Sequence, residues 1–444
     1  MPVLIRSLVD AVGSAHVREG AACAAFAIDG RAPRAAVFPA SPDELAAVMR
    51  VAAAARVPVV PWGGGTEMLV GAPPPADALV VGTGRLTAVL EHEPGDLTAT
   101  VEAGLTMEAL QAALGVRGQW VPLDPPAPAR STLGGVLATN RSGPRRQLYG
   151  TARDLVLGLR VVTADGELVR VGGRVVKNVA GYDLAKLYLG SRGTLGVIVE
   201  ATLKLRPRPE AEAACWGSFT TVADAARAAA ALAGGDLGPT ALELLDGGGA
   251  EVAARAAAVP APPGPAVLVA FDGLATTVAW QQGAAARELG AAGASAVARL
   301  ETPATRRALD AVREFRTLVP GAVAVARAGV LPGDLVAYLS EAAAAASEAG
   351  LGLAVAANAG QGLATLVFAA EGAATEATAG ALARCRAAAR ARGGHLALEA
   401  APLGVREACP TWDPPGPAGE LMRAVKARLD PAGLLNPGRF VGGI

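Results

Sequence analysis

The chain has 444 residues, with 40 basic and 40 acidic side chains and a hydrophobic share of 52%. That length suits two to three domains and allows a deeply buried site, while the balanced charge supplies no field that would draw in nucleic acid or anionic lipid. Alanine spread along the chain carries much of the hydrophobicity, and no run of roughly 18 apolar residues occurs, so direct membrane insertion is not expected.

Near the start, Asp10, His16, Arg18 and Glu19 interrupt the stretch where a signal peptide would place its apolar core, which reads as a cytoplasmic protein. Ser41-Pro42-Asp43-Glu44 combines an N-cap, a proline at the first helical position and a glutamate three residues after the cap, so a helix should start there and bury Leu45, Val48, Met49 and Ala52. Residues 57–60 read as a strand running into the glycine loop of residues 61–66. Strand-like patterning fills 79–104, Thr106 caps a short helix that Gly115 ends, and the proline-rich stretch 120–130 must be an extended loop. Residues 155–164 and 167–171 form a hairpin through Asp165-Gly166, read as a two-residue turn. A helix over 182–189, a loop over 190–194 and an alternating strand over 195–205 follow. Beyond Pro207 and Pro209, alanine-rich helices alternate with short strands at 266–271, 351–356 and 365–369, the pattern of a second α+β domain. A proline-rich linker at 410–417 leads into an amphipathic helix with Leu421, Val425 and Leu429, which Asp430-Pro431 should stop.

Cys23, Cys215, Cys385 and Cys409 are too far apart for a zinc or iron–sulfur signature and read as small core residues, and three histidines do not make a metal site. The segments with chemical potential are instead rich in glycine. Trp62-Gly63-Gly64-Gly65-Thr66-Glu67 follows a strand and lets backbone N–H groups approach a phosphate, although a tight turn without ligand explains the loop equally well on its own. Ser131-Thr132-Leu133-Gly134-Gly135, continuing to Asn140 and Ser142-Gly143, offers hydroxyls and bare backbone to phosphate or ribityl oxygens, against the plainer reading of a surface loop and helix start at Thr132. Gly193-Thr194-Leu195-Gly196-Val197-Ile198 runs a glycine loop into a strand whose backbone is able to pair with a ring edge, or is a simple strand entry.

In order and spacing these three segments resemble the FAD domain of the vanillyl-alcohol-oxidase and p-cresol-methylhydroxylase family. The similarity extends to residues 177–184 and to the terminal motif from Asp430-Pro431 through Leu435-Asn436-Pro437-Gly438-Arg439. Residues 140–146 and 175–187 look most like the FAD-binding subunits of bacterial glycolate oxidases. The resemblance implies an α+β protein: a two-subdomain FAD-binding domain over 1–209, an α+β cap over 210–410, and a segment 411–444 returning to the first domain. It also implies FAD held by Trp62, Gly63, Gly64, Gly65, Thr66, Glu67, Ser131, Thr132, Gly134, Gly135, Asn140, Gly143, Gly193, Val197, Ile198 and Asn436. The implied partners are a second FAD-linked hydroxy-acid subunit and an iron–sulfur subunit, with peripheral attachment to the inner membrane through them.

Two departures bear on mechanism. Many relatives attach FAD covalently through a histidine in the first glycine loop, and residues 62–68 contain none, so the flavin is expected to be non-covalent. Stand-alone D-2-hydroxy-acid dehydrogenases of the family also carry a histidine-bearing metal motif. The nearest segment here, 358–365, has no histidine. No catalytic residue is assigned: His395 reads as structural rather than as a base, and Arg145-Arg146 as a solvated or partner-facing pair. The expected function is the FAD subunit of a glycolate (2-hydroxy-acid) oxidase or dehydrogenase complex. A self-sufficient FAD oxidoreductase of another hydroxy acid or alcohol and a non-catalytic structural flavoprotein are the alternatives.

Overall fold

A computed structural model describes residues 2–173, 182–372 and 374–444. The chain forms two compact units, one of Met1–Ser142, Thr151–Pro207 and Pro414–Ile444, the other of Gly143–Gly150 and Arg208–Asp413.

The first unit holds two sheets. Strands β1 (Val17–Arg18), β2 (Ala35–Val37), β3 (Val59–Trp62) and β4 (Leu79–Gly82) lie in the order β1-β2-β4-β3, with β2 and β3 both parallel to β4. Alternate residues face opposite ways, as the pleat requires. Val37, Val59, Leu79 and Val81 join a core with the helix Pro42–Ala55, while Ala36, Val60 and Val80 join a smaller one flanked by Phe26, Phe38 and Trp62. The helix starts as the sequence predicts: Ser41 Oγ accepts from Glu44 N at 3.1 Å, and Leu45, Val48, Met49 and Ala52 are buried.

The second sheet is antiparallel, β5 (Val89–Glu93), β6 (Thr98–Glu102), β8 (Val156–Val162), β9 (Leu168–Gly172) and β10 (Val197–Lys204) in the order β5-β6-β10-β8-β9. A two-stranded pair joins β7 (Gln119–Trp120) to β11 (Arg206–Pro207). The inner face of the large sheet packs on the helices Met107–Gly115 and Leu133–Thr139. The β8–β9 turn departs from the expected two-residue form. Thr163 N donates to Glu167 O and Gly166 N to Thr163 O, leaving a three-residue loop in which only Gly166 has positive φ. A type I′ turn needs two such residues, and Asp165 is not one. The last helix, Ala418–Leu429, packs Val425 and Leu429 on this core but leaves Leu421 exposed, so its apolar face is shorter than the sequence suggests.

The second unit is built on an eight-stranded antiparallel sheet of β12 (Ala211–Ser218), β13 (Ala241–Leu245), β14 (Ala266–Gly273), β15 (Ala296–Glu301), β16 (Ala322–Gly329), β17 (Gly352–Asn358), β18 (Leu363–Ala369) and β19 (His395–Ala400). Their order is β15-β12-β14-β13-β17-β18-β16-β19. Both faces are covered, which explains why these strands read as unbroken apolar runs. Val267, Val269 and Phe271 of β14 pack with the helices Val222–Gly234, Ala275–Ala291, Leu335–Glu348 and Thr375–Ala391, whereas Ala266, Leu268 and Ala270 face the helices Gly247–Ala257 and Ala304–Arg313. All four cysteines are buried and free, and no helix of the described residues is long and apolar enough to cross a membrane.

Candidate flavin site in the first unit

The loop after β3 leaves the carboxyl end of a parallel strand, where open sheets present ligand crevices. Here Trp62 stacks edge-on against Phe26 with ring centroids 5.4 Å apart. A Cβ built on Gly64 would lie 1.7 Å from the Arg130 carbonyl oxygen, and one on Gly63 would lie 2.2 Å from Thr132 Oγ1. The two glycine segments are therefore seated backbone against backbone, and Arg130 Nη2 donates to Gly64 O at 3.4 Å. Ser131 Oγ donates to Pro126 O at 2.7 Å and lies 3.3 Å from Thr66 Oγ1, a further tie between them. Thr132 caps the helix Leu133–Thr139, its Oγ1 accepting from Gly135 N at 3.3 Å.

Around this contact lies a cleft of about 800 Å³, measured out to solvent at its mouth. It is lined by Trp62, Gly63, Gly64, Gly65, Thr66, Glu67, Thr132, Gly134, Gly135, Gly193, Val197, Ile198 and Asn436, thirteen of the sixteen positions singled out from sequence. Ser131 stands behind the wall as a buried support. Asn140 is the left-handed C-cap of the helix Leu133–Thr139, and Gly143 belongs to the second unit. The motif residues 177–181 lie outside the described residues.

Sequence reasoning did not single out several lining residues, among them Pro61, Thr83, Thr139, Arg192, Gly196 and Arg439. Arg439 closes the recognised terminal motif and Arg192 adjoins the one that starts at Gly193, so their cationic side chains were the available signal. Arg439 is buried and donates to Ala72 O, Met68 O and Val70 O, so its charge stands beside the exit of the first glycine loop. Glu67 is 3.9 Å from Arg141.

These groups fit a dinucleotide. The amides of Gly64 and Gly65 have no acceptor among the described residues, a pair of donors suited to a diphosphate. Asn436 Nδ2 donates to Arg192 O at 2.6 Å, while its buried Oδ1 has no partner among the described residues. Arg192 and Asn436 both hold positive φ, 54° and 48°, a conformation that costs a non-glycine residue roughly 1–3 kcal/mol. Among the described residues neither histidine nor cysteine lines the cleft, and Glu67 is the one carboxylate of its lining.

In the second unit, Arg145 is buried against two carboxylates, Glu212 at 2.7 Å and Asp272 at 2.9 Å, and Tyr149 donates to Asp272 at 2.5 Å. This corrects the solvated-pair reading of Arg145-Arg146. Burial alone would raise the Glu212 pKa, but Arg145 and Arg306 outweigh it and hold the group below the ordinary glutamate range. Burial dominates at Asp272 and pushes its pKa up. Arg146 Nε donates to Gln361 Oε1 at 2.6 Å, Gln361 Nε2 returns a bond to Arg146 O at 2.9 Å, and Asn358 Nδ2 donates to Glu243 at 3.2 Å. The β17–β18 turn is thus tied by its own side chains. His395 is exposed at the start of β19.

Comparison with known proteins agrees with this geometry. Residues 33–172 match the FAD binding domain model, and residues 208–440, more than half the chain, match the model for the C-terminal domain of FAD linked oxidases. Glycolate oxidase subunit GlcD of Bacillus subtilis is 37% identical over 214 residues, 48% of this chain and 46% of that protein. Glycolate oxidase subunit GlcE of Escherichia coli is 40% identical over 157 residues, 35% of this chain and 44% of that protein. The chain thus spans about half the length of the curated relatives it matches. The crystal structure of p-cresol methylhydroxylase superposes with a TM-score of 0.79 at 15% identity, covering 99% of this chain and 96% of that one, a likeness of fold.

Proposed function

Because the chain belongs to the FAD-linked oxidase family, with FAD as its cofactor, we propose that it is the FAD-binding subunit of a multi-subunit 2-hydroxy-acid dehydrogenase, with glycolate as the first substrate to test. In this reading residues 1–209 hold a non-covalent flavin, 210–410 form a cap or interface domain, and 411–444 return to the flavin. The observation that carries the cofactor assignment is the sealed contact between Gly64 and the Arg130 carbonyl, with the amides of Gly64 and Gly65 left without an acceptor among the described residues.

When bound, the cofactor supplies a two-electron acceptor for the hydride leaving the hydroxyl-bearing carbon of a 2-hydroxy acid, whose oxidation to a 2-oxo acid also releases the hydroxyl proton. Gly64, Gly65 and Thr66 hold the diphosphate, Gly134 and Gly135 let the cofactor lie close to backbone, and Val197 and Ile198 line a ring. Arg192 and Arg439 offset the diphosphate charge. Among the described residues the cleft lining contains no histidine, lysine, aspartate or tyrosine, and Glu67 is placed beside Arg141. Proton abstraction calls for a group within hydrogen-bond reach of the substrate hydroxyl. A carboxylate substrate also calls for a cation or metal, and the 358–365 turn has no histidine and commits Asn358 and Gln361 to Glu243 and Arg146. These points favour chemistry completed by a partner subunit, as do two of the relatives, each a subunit of a glycolate oxidase.

Anaerobic reduction of the flavin by glycolate and D-lactate tests the division of labour. The isolated chain is expected to bleach slowly or not at all, and addition of the hydroxy-acid and iron–sulfur partner subunits to restore turnover. Complete bleaching in the isolated chain at the rate of the complex would instead favour a self-sufficient oxidoreductase.

A further inference from the structure

The helix Ala418–Leu429 and the segment after it contain a buried ion pair that the cofactor assignment does not use. Lys426 Nζ donates to Asp430 Oδ2 at 2.7 Å, to Thr194 O at 2.8 Å and to Leu435 O at 2.9 Å, which satisfies all three of its protons. Asp430, 2% exposed, in turn accepts from Leu434 N at 3.0 Å and Leu435 N at 2.8 Å. Burial draws the Lys426 pKa down and the Asp430 contact pushes it back, so the ammonium is held by protein rather than by water. The three carbonyl and carboxylate partners come from two places: the loop carrying Gly193 and the strand-like return carrying Asn436. Leu435 bridges Val59 in parallel, and Asn436 N donates to Val59 O at 2.8 Å. Asn436 Nδ2 then closes the circuit on Arg192 O.

Resting on the FAD reading above, we propose that Lys426 and Asp430 are positioning residues: together they latch the C-terminal return onto the 192–194 loop and so present the unpartnered Asn436 Oδ1 to an N–H donor of FAD. Two features separate this arrangement from ordinary packing. The latch joins the two cleft-lining residues with left-handed backbone that meet through a hydrogen bond, Arg192 and Asn436, and it holds that pair at the cleft wall. Among the described residues, the buried acceptor left over at the end of the circuit, Asn436 Oδ1, is on a lining side chain. FAD offers two N–H donors of the required kind, the imide of the isoalloxazine and the amine of adenine.

The test is a double-mutant cycle on FAD affinity, titrating flavin-free full chain with FAD, with FMN and with ADP. Asn436→Leu is expected to weaken FAD by about tenfold or more, the loss of one buried hydrogen bond. Lys426→Met in the otherwise natural chain is expected to weaken FAD comparably, yet to add little in the Asn436→Leu background, because it acts through Asn436. A lysine that merely stabilises the fold lowers affinity equally in both backgrounds, and that result overturns the proposal. So does natural affinity in Asn436→Leu. If Lys426→Met does not fold, Asp430→Asn takes its place in the cycle, and Asn436→Leu decides the acceptor role alone. A loss shared by ADP assigns the acceptor to adenine, and a loss shared by FMN, with a changed visible spectrum, assigns it to the isoalloxazine. Failure of the natural chain to bind FAD at all refutes the cofactor reading itself, a different outcome from natural affinity in the variants.

Discussion

Gly64 and Gly135 both line the cleft, but a side chain meets different things at the two positions. A Cβ at Gly64 falls 1.7 Å from Arg130 O, inside backbone that cannot yield, whereas one at Gly135 has only Thr132 Oγ1 nearby, at 3.2 Å. Gly64→Val is therefore expected to lose flavin and to melt at a lower temperature, because two loops are forced apart. Gly135→Val is expected to lose flavin while the flavin-free protein melts as the unmodified one does, because the branched side chain projects where the ligand lies. Flavin content and thermal melting of the two flavin-free variants check this, and natural flavin content in Gly135→Val contradicts the site. The sequence made both glycines legible as close-approach positions. It did not separate a glycine required by the protein from one required by the ligand, since that depends on Arg130, a residue 66 positions away along the chain.

At the scale of elements, local rules read well and long-range partners did not. Ser41, Thr106 and Thr132 each cap a helix with the hydroxyl where the sequence put it, because capping involves residues three apart. The 163–167 turn and Arg145 were misread for one reason: the backbone angles of Asp165 and the carboxylates at 212 and 272 are set by structure that nearby residues do not report. Arg145 carries the short insertion Gly143–Gly150 in the second unit. Arg145→Met leaves Asp272 and, in part, Glu212 as buried carboxylates without their main cation, and should destabilise the protein by about 3–5 kcal/mol near neutral pH. Urea unfolding at two pH values tests it. Glu212 has a lowered pKa, so its contribution in the natural chain is present above the unfolded carboxylate range and is lost as pH falls through the folded value. In Arg145→Met that advantage is reduced, so the deficit relative to the natural chain should shrink as the pH drops. A deficit independent of pH would show that packing of the arginine stem, not its charge, is what matters.

For the whole molecule, the cofactor was easier to read from the sequence than the chemistry. Glycine spacing points to a flavin cleft because glycine lets residue 64 meet the Arg130 backbone and residue 63 the Thr132 side chain, and the architecture follows from an apolar sheet covered on both faces. The substrate and electron acceptor were not legible because, among the described residues, the cleft lining holds no histidine, lysine, aspartate or tyrosine and the 358–365 turn carries no metal ligand set recognisable from its residues. The central proposal is that the chain holds FAD in this cleft by non-covalent contacts alone, supported by a lining that carries no histidine or cysteine among the described residues. Acid precipitation of the purified protein tests it most directly. The account predicts a yellow protein whose flavin passes entirely into the supernatant, as intact FAD in amounts stoichiometric with the chain. Flavin remaining with the precipitated polypeptide, or a folded protein that never takes up FAD, would contradict it.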